Sequence, residues 1–209
     1  MAVVITVAQQ KGGAGKTMLA AQLAAALAPT RRVGLLDIDP QRSLARWHAL
    51  RVEHKSPLPA VGFSDISGWR LGGELDRMHR SFDLLIVDSP PQIDTDARLA
   101  VRNATLVLVP VQPSPPDLWA ATGTLRLVAE EKRHARLVLN RAPASGKLRA
   151  GAEAEIARNG WPVLSATLGN RTGFAGAFAQ GLGITETEPR STAAQELRAL
   201  LAEIESVLA

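Results

Sequence analysis

The sequence predicts a doubly wound α/β domain, a mostly parallel sheet flanked by helices. Three observations predict it. Short apolar, β-branched runs alternate with Ala- and Leu-rich segments along the chain, the order that builds parallel strands joined by crossover helices. A glycine loop, Gln9 to Thr17, joins the first run to the first such segment. Two further runs end in aspartate, at Asp37 and Asp88. In an open parallel sheet such ends lie at the carboxyl edge, where ligands bind.

The elements follow in order. Val3 to Ala8 is a strand and Thr17 to Ala28 a helix, rich in Ala and Leu. Arg32 to Asp37 is the next strand and Gln41 to Arg51 the next helix. A proline-broken connection, Ser56 to Pro59, leads to a weak strand at Val61-Gly62-Phe63. Trp69 to Arg80 is expected to be helical despite Gly72-Gly73. Phe82 to Val87 and Thr105 to Val109 are near-continuous apolar runs, as strands buried on both faces require. Leu118 to Lys132 is a helix, Arg136 to Leu139 a strand and Gly151 to Arg158 a helix. Pro162 to Thr167 is expected to add a last strand. Phe174 to Gln180 and Ala193 to Leu208 are closing helices. No repeat or linker divides the chain, so residues 1–209 are expected to form a single domain.

Composition bounds the function. The chain has 209 residues, 46% hydrophobic and 21% charged, which suits one globular unit with a sizeable core. It has no cysteine, which excludes disulfides, thiolate metal sites and cysteine-held iron–sulfur clusters. The net charge of +4 permits contact with nucleic acid without establishing it. The four histidines show no ligand spacing and are expected at the surface. The four tryptophans are expected to pack the core or fix loops. The apolar start is too short for a signal peptide, and no run approaches the roughly 18 residues of a membrane span. A cytoplasmic location is expected.

The loop carries the chemistry. Gln9-Gln10-Lys11-Gly12-Gly13-Ala14-Gly15-Lys16-Thr17 has the Walker-A spacing, with Gln10 where the general pattern has its first glycine. Gly12, Gly13 and Gly15 let successive N–H groups turn inward around phosphate oxygens, and the helix that follows adds its positive end. Lys16 is expected to reach the β- and γ-phosphates and Thr17 to ligate Mg²⁺. Asp37, Asp39 and Asp88 stand at strand ends, where a buried carboxylate needs a cation or donors; a Mg²⁺ ion supplies one. Lys11 is a second cation in a loop already served by Lys16, and repulsion disfavours it unless an anion lies near. From the residues, Asn140 is equally open to reading as a turn residue or a base reader.

The Lys-Gly-Gly-x-Gly-Lys-Thr loop resembles the deviant Walker A of the ParA/MinD family of P-loop ATPases, and Asp-x-Asp-Pro-Gln and Asp-Ser-Pro-Pro resemble its switch segments. Asp39-Pro40-Gln41-Arg42-Ser43 with Trp47 and Arg51, and Pro113 to Trp119, are similar to the short ParF-like branch. The resemblance covers nearly the whole chain. It implies MgATP as ligand and slow ATP hydrolysis. Lys11, Lys16 and Asp39 would be catalytic, Lys11 by reaching the phosphates of a facing subunit and Asp39 by positioning water. Lys11, Gly12, Gly13, Ala14, Gly15, Lys16, Thr17, Met18 and Asn140 would bind nucleotide, Asn140 at the adenine. Thr17, Asp39 and Asp88 would form the metal site. Met18, in place of a small residue, is a departure with no clear consequence.

The implied partners are a second copy of the chain when ATP is bound, non-specific DNA, and a ParB-like or cargo adaptor, with no membrane. Nucleoid association would follow. Cargo in the family ranges over plasmids, chromosome origins, chemoreceptor clusters and carboxysomes. Arg171, by family position, and Arg149 are the candidate DNA contacts. The chain starts at its first strand, so operator binding through an N-terminal extension is not expected. An iron–sulfur carrier is excluded by the missing cysteines. A MinD-like membrane ATPase needs a basic C-terminal amphipathic helix, whereas residues 196–208 are net acidic. A ligase of the dethiobiotin-synthetase kind would need neither Lys11 nor Asp39-Pro40-Gln41. The remaining alternative is a nucleotide-dependent protein-interaction switch, or a positioning ATPase that does not bind DNA.

Overall fold

A computed structural model describes residues 2–92 and 95–209. The strands are β1 (Val3–Val7), β2 (Val33–Asp37), β3 (Val61–Asp65), β4 (Leu84–Asp88), β5 (Leu106–Val111) and β6 (Ala135–Leu139). They form one sheet in the order β3-β2-β4-β1-β5-β6, every pair parallel. The helices are α1 (Lys16–Leu27), α2 (Ser43–Val52), α3 (Leu71–Met78), α4 (Thr95–Arg102), α5 (Pro115–Glu130), α6 (Lys147–Arg158), α7 (Thr172–Phe178), α8 (Ile184–Thr187) and α9 (Thr192–Leu208). A 3₁₀ turn at Gly68–Arg70 precedes α3.

The strands are apolar throughout because both faces are covered. Ile5, Val7, Leu35, Ile86 and Leu108 point into a core with α1, α2, α7 and α9. Their alternates Val4, Leu36, Leu85 and Val87 pack under α3 and α4, and Val107, Val109 and Leu137 under α5 and α6. The period of two along a strand thus feeds two cores at once. α1 lies in the first core with Leu19, Leu23 and three consecutive alanines, Ala24 among its fully buried residues. The C-terminal α9 buries Leu197, Leu200, Leu201 and Ile204 against the same core.

The structure departs from the sequence reading at several places. Residues 162–167 make only an isolated bridge, Leu137 to Val163, instead of a strand. Pro162 has no N–H to donate, and the amides of Ser165 and Ala166 are taken by the Glu203 carboxylate of α9 instead of a strand. α4 and the short α8 were not anticipated. α6 begins at Lys147, a turn earlier than Gly151. Of the tryptophans, Trp47 is buried as expected, but Trp69 and Trp119 are 71% and 67% exposed. Among the described residues, no helix is long and apolar enough to cross a membrane.

Trp47 and Arg51 fasten α2 to the C-terminal helices. The Trp47 Nε1 donates to the Leu182 carbonyl at 3.3 Å and its ring stacks near Phe178. Arg51, 5% exposed, lies over the Trp47 ring and forks onto Glu186 at 2.8 and 2.9 Å. Gly181, at φ 71°, lets the backbone pass directly against Arg51. Removing one member of a buried pair strands the other's charge. Arg51→Ala is therefore expected to lower unfolding stability by roughly 3 kcal/mol, read in a urea titration. An Arg51→Met/Glu186→Leu double variant should recover most of that loss.

Candidate functional site

The register of the sheet sets the site. Val7 of β1 pairs with Asp88, and Asp37 of β2 pairs with the same Asp88. The three strand ends are therefore level at the carboxyl edge, and the loop after β1 wraps there before entering α1. A cleft of about 260 Å³ opens among Gly12, Gly13, Lys16, Thr17, Asp39 and Arg141.

The loop's conformation depends on its glycines. Gly13 and Gly15 have φ of 79° and 96°, the left-handed region that side chains resist. Gly12 and Gly13 face open space, so their backbone groups are accessible from the cleft. Gly15 turns into α1 against the Asn140 side chain. Gln10, where a glycine is usual, is accommodated because its side chain lies on Gly123 of α5, where a Cβ would collide. Gln9 braces the loop from below: its side-chain NH₂ donates to the Pro110 carbonyl, and its Oε1 accepts from the Gln10 amide and the Thr124 hydroxyl.

Lys16 is 6% exposed, and its Nζ donates to the Gln9 carbonyl at 3.1 Å. Burial lowers its pKa, while Asp88 and Asp39 oppose that shift. Lys11 behaves otherwise. Its side chain is 39% exposed and its ammonium sits 2.5 Å from Asp117 Oδ2, a carboxylate that is 2% exposed in the first turn of α5. The Ser114 hydroxyl donates to the same oxygen at 2.6 Å. The anion that Lys11 requires in the single chain is thus Asp117, a residue the sequence reading passed over. Its signal was the Ser-Pro-Pro-Asp run, in which Ser114 caps α5 and Asp117 falls in the first turn.

The three aspartates differ in role. Asp37 is buried, and both its oxygens are bound by backbone N–H groups, of Asp39 and Ala45, at 3.0 Å. It shapes the loop and the start of α2. Asp39 is half-buried on the cleft wall, with Oδ1 accepting the Gln41 amide. Asp88 is fully buried beside the Thr17 hydroxyl, and no N–H or cation bonds to either oxygen among the described residues. Burial pushes its pKa up to about 8, although the Thr17 hydroxyl and Lys16 favour the anion. A buried carboxylate with so little to balance its charge is costly, and a cation beside Thr17 relieves that cost. Among the described residues no cluster of three His, Cys, Asp or Glu side chains forms a ready-made metal centre. Mg²⁺ suits such a place, since it takes one or two protein ligands and fills its shell from water and phosphate.

A second cavity, about 240 Å³, adjoins the first between Met18, Asn140, Asn170 and Arg171. Asn140 is fully buried at the end of β6. Its NH₂ donates to the Ala14 carbonyl at 2.8 Å and its Oδ1 accepts from the Arg141 amide. It therefore ties the phosphate loop to this cavity, which it lines.

The whole of this arrangement falls within residues 5–184, which match the CobQ/CobB/MinD/ParA nucleotide binding domain. The chain belongs to that family. Over 207 residues it is 30% identical to the maintenance of carboxysome distribution protein A of Halothiobacillus neapolitanus, covering 96% of this chain and 95% of that one. It is 30% identical to a ParA protein of Rhizobium radiobacter over 188 residues, 85% of this chain and 83% of the relative. Among solved structures, a Cyanothece McdA–ATP complex superposes with a TM-score of 0.82 at 19% identity, covering 99% and 96% of the two chains. MinD with Mg-ADP from Pyrococcus horikoshii superposes at 0.80 and 16% identity, covering 100% and 98%.

Within the family frame, the structure brings Lys16, Thr17, Asp39 and the loop glycines to one cleft, with Asp88 beneath and Met18 between the two cavities. Lys11 stands beside α5, held by Asp117. Gln41, Ser43 and Arg141 also line the cleft; Gln41 and Ser43 fall in the Asp39 to Ser43 segment, and none of the three was given a role of its own from sequence. Arg149 and Arg171 lie outside the phosphate cleft, each on a carboxylate of its own chain: Glu153 at 2.8 Å and Glu196 at 2.7 Å.

Proposed function

We propose that this chain is a MgATP-dependent positioning ATPase of the ParA type. The observation that carries this reading is Asp88, a fully buried carboxylate beside the Thr17 hydroxyl, with no N–H or cation bonded to it among the described residues. Thr17 and Asp88 would hold Mg²⁺, with Asp39 toward the γ-phosphate. The ion would neutralise charge on the phosphates during transfer to water. Lys16 and the loop amides would bind the phosphates, Asn140 would face the adenine, and Asp39 would orient the attacking water. The nucleotides in the related McdA and MinD structures support the same ligand here.

The ATP form would be a sandwich dimer. Lys11 is half-exposed beside α5 and already carries an anionic partner, so a facing subunit's γ-phosphate can take the place of Asp117. That exchange exists only while the γ-phosphate does, which ties assembly to nucleotide state. The test is sedimentation of Asp39→Ala protein with ATP and Mg²⁺. The single variant should run as a dimer and a Lys11→Ala/Asp39→Ala variant as a monomer. A dimer that persists with ADP, or without Lys11, would overturn the switch.

The dimer would bind DNA without sequence preference and position a cargo, such as a carboxysome or a plasmid, through a ParB-like or other adaptor. Arg149 and Arg171 are the proposed contacts, and each must first leave Glu153 or Glu196. Binding should fall steeply with salt, since phosphate contacts release counterions. Arg171→Glu should weaken it equally for all sequences, and Glu153→Gln, which frees Arg149, should strengthen it. These measurements are made on the ATP-bound Asp39→Ala protein by fluorescence anisotropy. The in-chain pairing of both arginines is also the observation that favours the second reading, a positioning switch without DNA, and an absence of binding at low salt would select it.

A further inference from the structure

The two cavities of the nucleotide cleft share only two lining residues, Met18 and Arg141. A ligand whose phosphates lie on the loop and whose base lies by Asn140 must pass between them. Met18 offers an apolar wall there, its Cε near Gly15. Arg141 is exposed, and among the described residues no carboxylate pairs with it. Lys16 and Arg171, the neighbouring cations, are occupied by the Gln9 carbonyl and by Glu196.

The backbone at Arg141 is also unusual. Its φ is 50°, a conformation that a side chain with a Cβ resists. The constraint comes from both sides: the Arg141 amide donates to Asn140 Oδ1, and the Ala142 amide donates to the Leu168 carbonyl. Two other non-glycine residues, Arg42 and Lys132, have positive φ among the described residues. Arg42 faces Asp65 and Lys132 follows the end of α5, so Arg141 is the one of the three that opens on the nucleotide cleft. A strained, exposed, unpaired arginine between two cavities contributes nothing visible to the fold, and strain of this kind gathers at ligand sites.

We propose that Arg141 is the residue that grips the nucleoside end of the ligand, its guanidinium pairing with the α-phosphate while Met18 closes the opposite wall. The ligand class is a nucleoside 5′-diphosphate or triphosphate; the contact does not involve the γ-phosphate. The proposal rests on the nucleotide-binding reading above. It gives Met18 a purpose, since its apolar side chain leaves polar contact with the ligand at this narrow point to Arg141.

The test measures ADP and ATP affinity by calorimetry for the wild type and for Arg141→Met, Arg141→Lys and Arg141→Gly. Arg141→Met keeps the apolar stem and should weaken ADP and ATP alike by about tenfold or more, the effect of one charge-assisted contact. Arg141→Lys should recover most of that loss. Arg141→Gly should weaken binding as much while raising the melting temperature of the nucleotide-free protein, because the backbone strain is relieved. A merely structural residue would lower both. ADP binding within twofold of wild type in Arg141→Met would overturn the proposal. So would full rescue by Met with failure of Lys, which would mark stacking on the base instead. A wild-type protein that binds neither ADP nor ATP would sink the parent reading, a result distinct from either.

Discussion

Asp39→Ala is expected to leave ATP and Mg²⁺ binding within about twofold and to slow hydrolysis by roughly 10²–10⁴-fold, the usual contribution of a positioned proton-transfer group. The split follows from placement. Asp39 stands on the cleft wall with one oxygen on its own loop, at the Gln41 amide, and it takes no part in the phosphate loop. Lys16 is different: its ammonium sits inside the loop at the Gln9 carbonyl, so Lys16→Ala should weaken nucleotide binding itself. Single-turnover hydrolysis beside calorimetric binding separates the two. An equal loss of binding and turnover in Asp39→Ala would make its role structural. Asp37 serves as the comparison. Both its oxygens hold backbone amides, so Asp37→Ala should disturb the loop and reduce binding and turnover together.

Asp88→Asn should stabilise the nucleotide-free protein and remove its response to Mg²⁺. Burial raises the Asp88 pKa from about 4 to about 8. Between those values the folded chain holds a proton that the unfolded chain has released. Stability from this group is therefore complete below about pH 4 and is lost as pH rises through about 8. In the variant this slope disappears. At pH 8 the asparagine form should melt above the wild type, with the gap closing as pH falls toward 4. With ADP the order reverses: added Mg²⁺ should raise the melting temperature of the wild type and leave the variant nearly unchanged. A wild type that is equally stable from pH 5 to pH 8 without nucleotide would show that Asp88 already has a partner.

Much of this was legible in the sequence, for reasons that are local. A strand covered on both faces is apolar at every position, so β1, β4 and β5 were plain. The phosphate loop is contiguous, and Asp88 directly ends an apolar run. What was missed depends on distant residues. Pro162-Val163-Leu164 has the composition of a strand, yet Glu203 of α9 claims the amides that would have extended it. The partner of Lys11 is a carboxylate 106 residues away, and nothing in the spacing joins them. The short amphipathic α4 follows a proline pair and carries two arginines, Arg98 and Arg102, that pair with Glu131 beyond α5. Trp69 and Trp119 were read by residue type as packing the core or fixing loops, and type does not reveal exposure.

The contact between Gln10 and Gly123 makes the seat of the loop on α5 forgiving. A Cβ at position 123 would meet only the far end of the Gln10 side chain, which can swing aside by rotation about its own bonds. The loop backbone need not follow, because Gln9 holds it from below at Pro110 and Thr124. A change such as Gly123→Ala is therefore absorbed by one amide, and the helix surface beneath the loop can alter while the phosphate cradle keeps its shape.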